Sequence, residues 1–272
     1  QCDWSSDVCS SDLASVANEA GVADIIDQAM ANYGRVDAIV HNAGIAGFAP
    51  IETMSLDDYR DVMSVHLEGG FLIARAAWPH MMKQKYGRII FITSQTALSG
   101  MFNLAHYGSA KAGLTGLGRV LALEGAPHGI QVNTLGVTAL TRMMAEFFEA
   151  ERQDGNWPDV LHDSAEWWET YNRPELVSPV VAYLAHKDCT LNGELLDTGG
   201  GHVSRQFLST TQGYLDLNLT MESVAGNIDR ILDPAGAHGP FGDAAQFLEW
   251  RHARMVENGA TLPRPTQPEA VK

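Results

Sequence analysis

Apolar residues recur at helical spacing through Val22, Ile25, Ile26, Ala29, Met30 and Tyr33, which predicts an amphipathic helix over 19–33 that Gly34 ends. The short apolar run from Val36 to His41 predicts a strand. Ser55 with Asp58 three residues on reads as a helix N-terminus, with Asp in place of the usual Glu or Gln. A long helix then follows over about 56–85, with a bend expected at Gly69-Gly70 or at Pro79. Arg88 to Thr93, RIIFIT, is a strand of the buried type. A helix over 106–125, a strand from Ile130 to Leu135 and a helix over 175–186 come next. Glu194 to Asp197 forms the last short strand, just before Gly199-Gly200-Gly201. Strands apolar on both sides need cover on both faces, so the alternation predicts an α/β fold built on a parallel sheet.

Two stretches break the rhythm. Residues 144–173 carry Phe147, Phe148, Trp157, Trp167, Trp168 and Tyr171 among many acids. From Pro234 onward the chain is rich in Gly and Pro and reads as an arm or a disordered tail. The chain has 272 residues and 45% hydrophobic composition, enough for one large domain or two small ones. Its net charge of −15 argues against nucleic acid or an anionic membrane as a partner, since both need basic patches. No apolar run reaches the roughly 20 residues a membrane span needs. A cytoplasmic enzyme is the expectation.

The first thirteen residues, QCDWSSDVCSSDL, have no helix or strand period. Cys2 and Cys9 could pair or bind metal, but no His or further Cys stands at ligand spacing nearby. Back-translated, Asp3 to Leu13 fits the common strand of a sequencing-library adapter codon by codon. A genuine N-terminal tail is the other reading. Residues 1–13 are therefore set aside as a non-native segment.

The strongest chemical signal is Tyr107-Gly108-Ser109-Ala110-Lys111. Tyr and Lys four apart share one helix face, and an ammonium beside a phenol favours the phenolate. That would make Tyr107 an acid/base near neutral pH. A Tyr and a Lys at this spacing also occur on many helices with no such role. Ser94 follows RIIFIT directly, where ligands of open parallel sheets bind. It can cap a turn or hydrogen-bond a substrate oxygen. His41-Asn42-Ala43-Gly44 follows another strand, where small residues admit a flat ligand or make an ordinary turn. Asn133-Thr134-Leu135-Gly136 is read as a further loop at the same edge.

Together these motifs resemble the short-chain dehydrogenase/reductase family over about residues 14–203. The resemblance implies a Rossmann-type doubly wound parallel sheet, NAD or NADP as cofactor, and hydride transfer at an alcohol or carbonyl carbon. It implies Tyr107 as general acid/base and Ser94 as the group that orients the substrate oxygen. Lys111 would lower the Tyr107 pKa and bind the nicotinamide ribose. Asn42, Ala43 and Gly44 would line the cofactor site, with Thr141 near the nicotinamide amide. His66 stands where the family usually has an Asn whose backbone carbonyl props a proton relay. Val137 stands where the Asn133 loop usually has Pro, which should loosen that turn.

The stretch VHLEGGFLIARAAWPHMMKQKYGRII, His66 included, resembles more closely the (3R)-hydroxyacyl-CoA dehydrogenase domains of peroxisomal multifunctional enzymes. The acidic 144–173 segment would be a poor neighbour for CoA phosphates. Its aromatics suit an apolar alcohol or ketone of hydroxyacyl, steroid or terpenoid type, and equally suit a helical cap or a dimer contact. Homo-oligomers are usual in the family.

The family's Gly-x-x-x-Gly-x-Gly turn, which seats a pyrophosphate on a helix N-terminus, has no match here. By the resemblance the sheet lacks its first three strands, and cofactor binding by the chain as given is expected to be impaired. The predicted organisation is a non-native segment at 1–13, an oxidoreductase domain over 14–233 with a substrate lid at 144–173, and an arm over 234–272. A non-catalytic relative serving as a binding or assembly subunit is the alternative. The sugar-nucleotide epimerase branch shares Tyr-x-x-x-Lys, but the Asn-Ala-Gly loop and short C-terminal part speak against it.

Overall fold

The computed structural model describes residues 14–141, 144 and 165–259. The chain divides into two compact units, 1–206 and 207–272. The first unit holds a five-stranded sheet in the order β1-β2-β3-β4-β5. β1 (Ala38–His41), β2 (Gly87–Thr93), β3 (Ile130–Thr138) and β4 (Leu195–Gly199) run parallel. β5 (His202–Gln206) returns antiparallel to β4. The sheet is therefore parallel in its chemistry-bearing part, as the apolar runs predict.

β2 shows why both faces are covered. All seven of its residues are buried. Ile89 and Phe91 join one core with Leu72, Ala77, Met81 and Leu114, from the long helices on that side. Ile90 and Ile92 join a second core with Leu135, Val177 and Leu184 on the other. A strand that alternates between two apolar layers cannot show a polar phase in its sequence.

Helix α1 (Glu19–Tyr33) occupies the span its period predicts. Asn18 caps it, accepting a hydrogen bond from the Gly21 N–H at 2.8 Å. Ser55 caps α2 (Leu56–Met63), accepting from the Asp58 N–H at 3.0 Å and donating to the Asp58 carboxylate at 2.6 Å. The long helix runs on without a break but changes register just before Gly69. Residues Ser64–Glu68 form a π-helical turn between α2 and α3 (Gly69–Gln84), while Pro79 lies inside α3. A π turn needs no Gly or Pro, so composition gives no sign of it.

After β2 come a short helix α4 (Thr96–Ser99) and the long α5 (Ala105–Gly125). α6 (Ala165–Tyr171) and α7 (Ser178–Ala185) precede β4. Asn133 to Gly136 lies within β3, not after it, which corrects the reading of this segment as a loop. Asn133 donates to the Leu191 carbonyl at 2.9 Å and accepts from the Glu194 N–H at 3.0 Å, so it brackets the entry to β4. β5 also went unpredicted, because its residues are exposed or half-buried and show no apolar alternation.

The second unit carries α8 (Met221–Gly226), α9 (Ile228–Leu232) and α10 (Ala244–Glu257). α10 falls in the stretch read as an arm or tail. Its Trp250 stacks on His238, with ring centroids 5.8 Å apart. The predicted segment 1–13 and most of the predicted lid, residues 145–164, lie outside the described residues.

Candidate active site

The four parallel strands end at one edge of the sheet, so the segments that follow them meet there. Asn42 and Ala43, after β1, are exposed, and Gly44 is half-buried. Ser94 follows β2. α5 lies on the same edge because the Thr93 hydroxyl donates to the Lys111 carbonyl at 2.9 Å. That bond sets the Tyr107–Lys111 face of α5 over the end of β2.

Ser94 makes the turn contact that one of its readings expects. Its Oγ accepts from the Thr96 N–H at 3.2 Å, which caps the turn. The same hydroxyl donates to Thr96 Oγ1 at 3.2 Å, and the Ser94 side chain lies close enough to the Tyr107 phenol to pull that pKa down. Lys111 is buried, and its Nζ donates to the Ile92 carbonyl at 2.7 Å. The same Nζ stands 5.4 Å from the Tyr107 ring centroid. Serine, tyrosine and lysine thus come together as the motif spacing anticipates.

The electrostatics differ from the sequence expectation. Burial pushes the Tyr107 phenol above its usual value, against a smaller downward pull from the Ser94 side chain. Burial also lowers the Lys111 ammonium to about 8. The ammonium is turned to a β2 carbonyl and to the ring face, so it does not hold the phenol down here. At neutral pH Tyr107 therefore stands as a protonated donor beside a second hydroxyl.

His66 lies in the π turn with its ring edge-on to Tyr107, centroids 5.2 Å apart. Its pKa falls to about 4, first from burial and then from the charge of Lys111. The His66 carbonyl, the atom expected to prop a relay, accepts a hydrogen bond from His41 Nε2 at 2.8 Å. Thr141 is exposed, and its hydroxyl accepts from the Met144 N–H at 3.4 Å. Of the aromatic segment, Trp168 is buried and Tyr171 is half exposed.

Two polar groups at this edge escaped the sequence reading. Asp197, on β4, lies close enough to the side chain of Gln95, the neighbour of Ser94, for that amide to pull its pKa down. Burial raises its pKa by more, and its Oδ1 is buried without a hydrogen-bond partner. The other is His41, which reads in sequence only as the residue before Asn-Ala-Gly.

The donor set fits the riboside end of a nicotinamide cofactor. Lys111 uses one of its three N–H groups on Ile92, and the others suit ribose hydroxyls. Asn42 and Ala43, after β1, are exposed at the same sheet edge.

The family model for short chain dehydrogenase matches residues 11–152. The chain belongs to the short-chain dehydrogenase/reductase family. A short-chain type dehydrogenase/reductase of Mycobacterium tuberculosis is 39% identical over 224 residues, covering 82% of this chain and 73% of that one. Peroxisomal multifunctional enzyme type 2 of mouse is 34% identical over 220 residues, covering 79% of this chain and 28% of the mouse enzyme. The chain thus spans under a third of that larger relative. The full-length structure of peroxisomal multifunctional enzyme type 2 from Drosophila melanogaster superposes with a TM-score of 0.70 at 27% identity, over 90% of this chain and 40% of that one. This short-chain dehydrogenase/reductase is accordingly an NAD(P)-dependent oxidoreductase, close to the dehydrogenase domain of those enzymes. No helix among its described residues is long and apolar enough to cross a membrane.

Proposed function

We propose that this enzyme interconverts a secondary alcohol and a ketone on an apolar substrate of hydroxyacyl, steroid or terpenoid type. The observation that carries the reading is the Lys111 ammonium 5.4 Å from the Tyr107 ring centroid, one helical turn on, with Ser94 acting on the phenol from the end of β2. Ser94 and Tyr107 would hold the substrate oxygen between two hydroxyls. Tyr107, protonated at neutral pH, would give its proton to a carbonyl oxygen in reduction and take it back in oxidation. NAD or NADP, when bound, supplies or accepts the hydride. Lys111 would hold the nicotinamide ribose, Asn42, Ala43 and Gly44 would line its near side, and Thr141 would face the amide. His66 would back the tyrosine ring.

The phosphate-binding turn is not among these 272 residues, so the residues present would hold the cofactor by its nicotinamide end. Homo-oligomeric assembly and a cytoplasmic setting belong to the same proposal.

The test is a panel of secondary alcohols, with NAD and NADP separately, each in excess, read by the absorbance of the reduced nicotinamide. The panel holds a 3-hydroxyacyl thioester, a hydroxysteroid, a terpenoid alcohol and a hydroxy acid. Turnover of an apolar alcohol is the expected result. Turnover of the hydroxy acid alone would overturn the substrate class. Cofactor binding with no turnover of any alcohol would favour the non-catalytic alternative.

A further inference from the structure

Two imidazoles lie behind the Tyr107–Lys111 face, and each is tied into the backbone. His41 ends β1 and is 4% exposed. Its Nε2 stands 2.8 Å from the His66 carbonyl oxygen. A carbonyl only accepts, so this nitrogen carries the proton and donates. His66 is 2% exposed. Its Nε2 lies 2.7 Å from the Ile45 carbonyl oxygen and 3.1 Å from the Ile45 N–H nitrogen. Its Nδ1 is buried without a partner. A buried orphan donor is rarer than an orphan acceptor, so the proton belongs on Nε2, given to Ile45.

Both rings sit in spaces made by glycine. A Cβ on Gly70 would stand 3.2 Å from His41 Cδ2, and one on Gly44 would stand 2.4 Å from His66 Cε1. Phe91 closes another side of His41, edge-on with centroids 6.3 Å apart. The contacts therefore run in series. The end of β1 holds the His66 carbonyl through His41. The His66 ring then holds the Ile45 loop by one nitrogen and meets the Tyr107 ring at 82°.

The π turn matters to this series. An α-helical turn passes its carbonyls down the helix ladder, whereas a π turn perturbs that ladder and needs outside support. Here the His66 carbonyl accepts from the Gly69 N–H of its own helix and, in addition, from one side-chain donor on a neighbouring strand, His41. We propose that His41 is a positioning residue: by donating to the His66 carbonyl it locks the π turn, and so fixes the His66 ring against Tyr107 and against the Ile45 loop. This inference rests on reading Tyr107 as the acid/base group.

Three variants test it. His41→Phe removes the donor. His41→Asn is polar but too short to reach the carbonyl. His41→Gln places an N–H where Nε2 stands now. Circular dichroism and thermal unfolding establish that each is folded. The first readout is the ultraviolet titration of the Tyr107 phenol, isolated as the difference from the same protein with Tyr107→Phe. Ser94, Lys111 and His66 face that phenol in every variant. The second is kcat and KM for the alcohol found active.

With the lock gone, water reaches Tyr107, and its titration moves down toward the ordinary tyrosine range in His41→Phe and His41→Asn. Misplacing the acid lowers kcat by about 10- to 100-fold while KM stays near that of the parent. His41→Gln recovers both. Parent-like titration and kcat in folded His41→Asn would overturn the proposal, as would a folded His41→Gln that behaves like His41→Asn. Should His41→Phe not fold, the Asn and Gln pair decides. Absence of turnover in the parent would count against the oxidoreductase reading, and the phenol titration would still decide the role of His41.

Discussion

The His66 imidazole stands edge-on to the Tyr107 ring, centroids 5.2 Å apart and planes at 82°. The Ile45 carbonyl bond favours a charged ring, but burial outweighs it. Burial, helped by Lys111, His41 and His106, holds His66 neutral down to about pH 4, against an ordinary value of 6.5. A histidine whose folded pKa is lowered binds fewer protons folded than unfolded in that window. Stability should therefore fall as pH drops from 6.5 to 4, by an amount on the order of 3 kcal/mol. Denaturant unfolding across this range measures it. His66→Gln, which keeps a donor for Ile45, should flatten the slope, and an unchanged slope would place the acid sensitivity elsewhere.

Lys111 tests whether a buried ammonium is kept for function. Its pKa of about 8 records the burial cost. Between pH 8 and the unfolded value of 10.5 the folded state gives up the proton first, so this cost is relieved as pH rises. Lys111→Met keeps the stem and removes the charge. It should unfold at the same temperature as the parent or higher. Its turnover should fall by about 10²- to 10⁴-fold, with weaker cofactor binding. A variant both less stable and fully active would assign Lys111 to the scaffold instead.

Gly44 tests the fit between the loop after β1 and the π turn. An added Cβ would stand 2.4 Å from His66 Cε1, closer than carbon atoms approach. Gly44→Ala should cost about 1–3 kcal/mol in unfolding experiments. It should also shift the amide resonances of residues 42–47, including Ile45. A variant with the parent's stability and spectrum would mean that the loop yields freely.

Phe91 tests the sheet that carries the site. It is fully buried, in the core that joins β2 to Leu72, Met81 and Leu114. Phe91→Ala should cost about 3–5 kcal/mol. Thermal unfolding checks this, and a loss under about 1 kcal/mol would contradict such close packing.

Much of this was legible in the sequence where a pattern and a burial requirement coincide. α1 follows its apolar stripe from Glu19 to Tyr33. RIIFIT is apolar on alternate faces because both faces are covered. Ser94, Tyr107 and Lys111 were findable because one strand end and one helix face fix all three. The π turn at Ser64–Glu68 was not, since it changes helical register without changing composition. β5 was not, because exposed strands need no apolar alternation. The bond from His41 to His66 joins residues 25 apart, and nothing local in either segment announces it. The same holds for Gln95 and Asp197, which meet only when β2 and β4 are placed in one sheet.

The measurement that bears most directly on the account is kcat of Tyr107→Phe beside the parent, with one cofactor and one secondary alcohol. Removing the hydroxyl leaves the ring against His66 and leaves Lys111 bonded to Ile92. The account predicts a fall of about 10²- to 10⁴-fold in kcat with cofactor affinity unchanged. Turnover equal to the parent's would contradict it, because no proton could then pass through Tyr107.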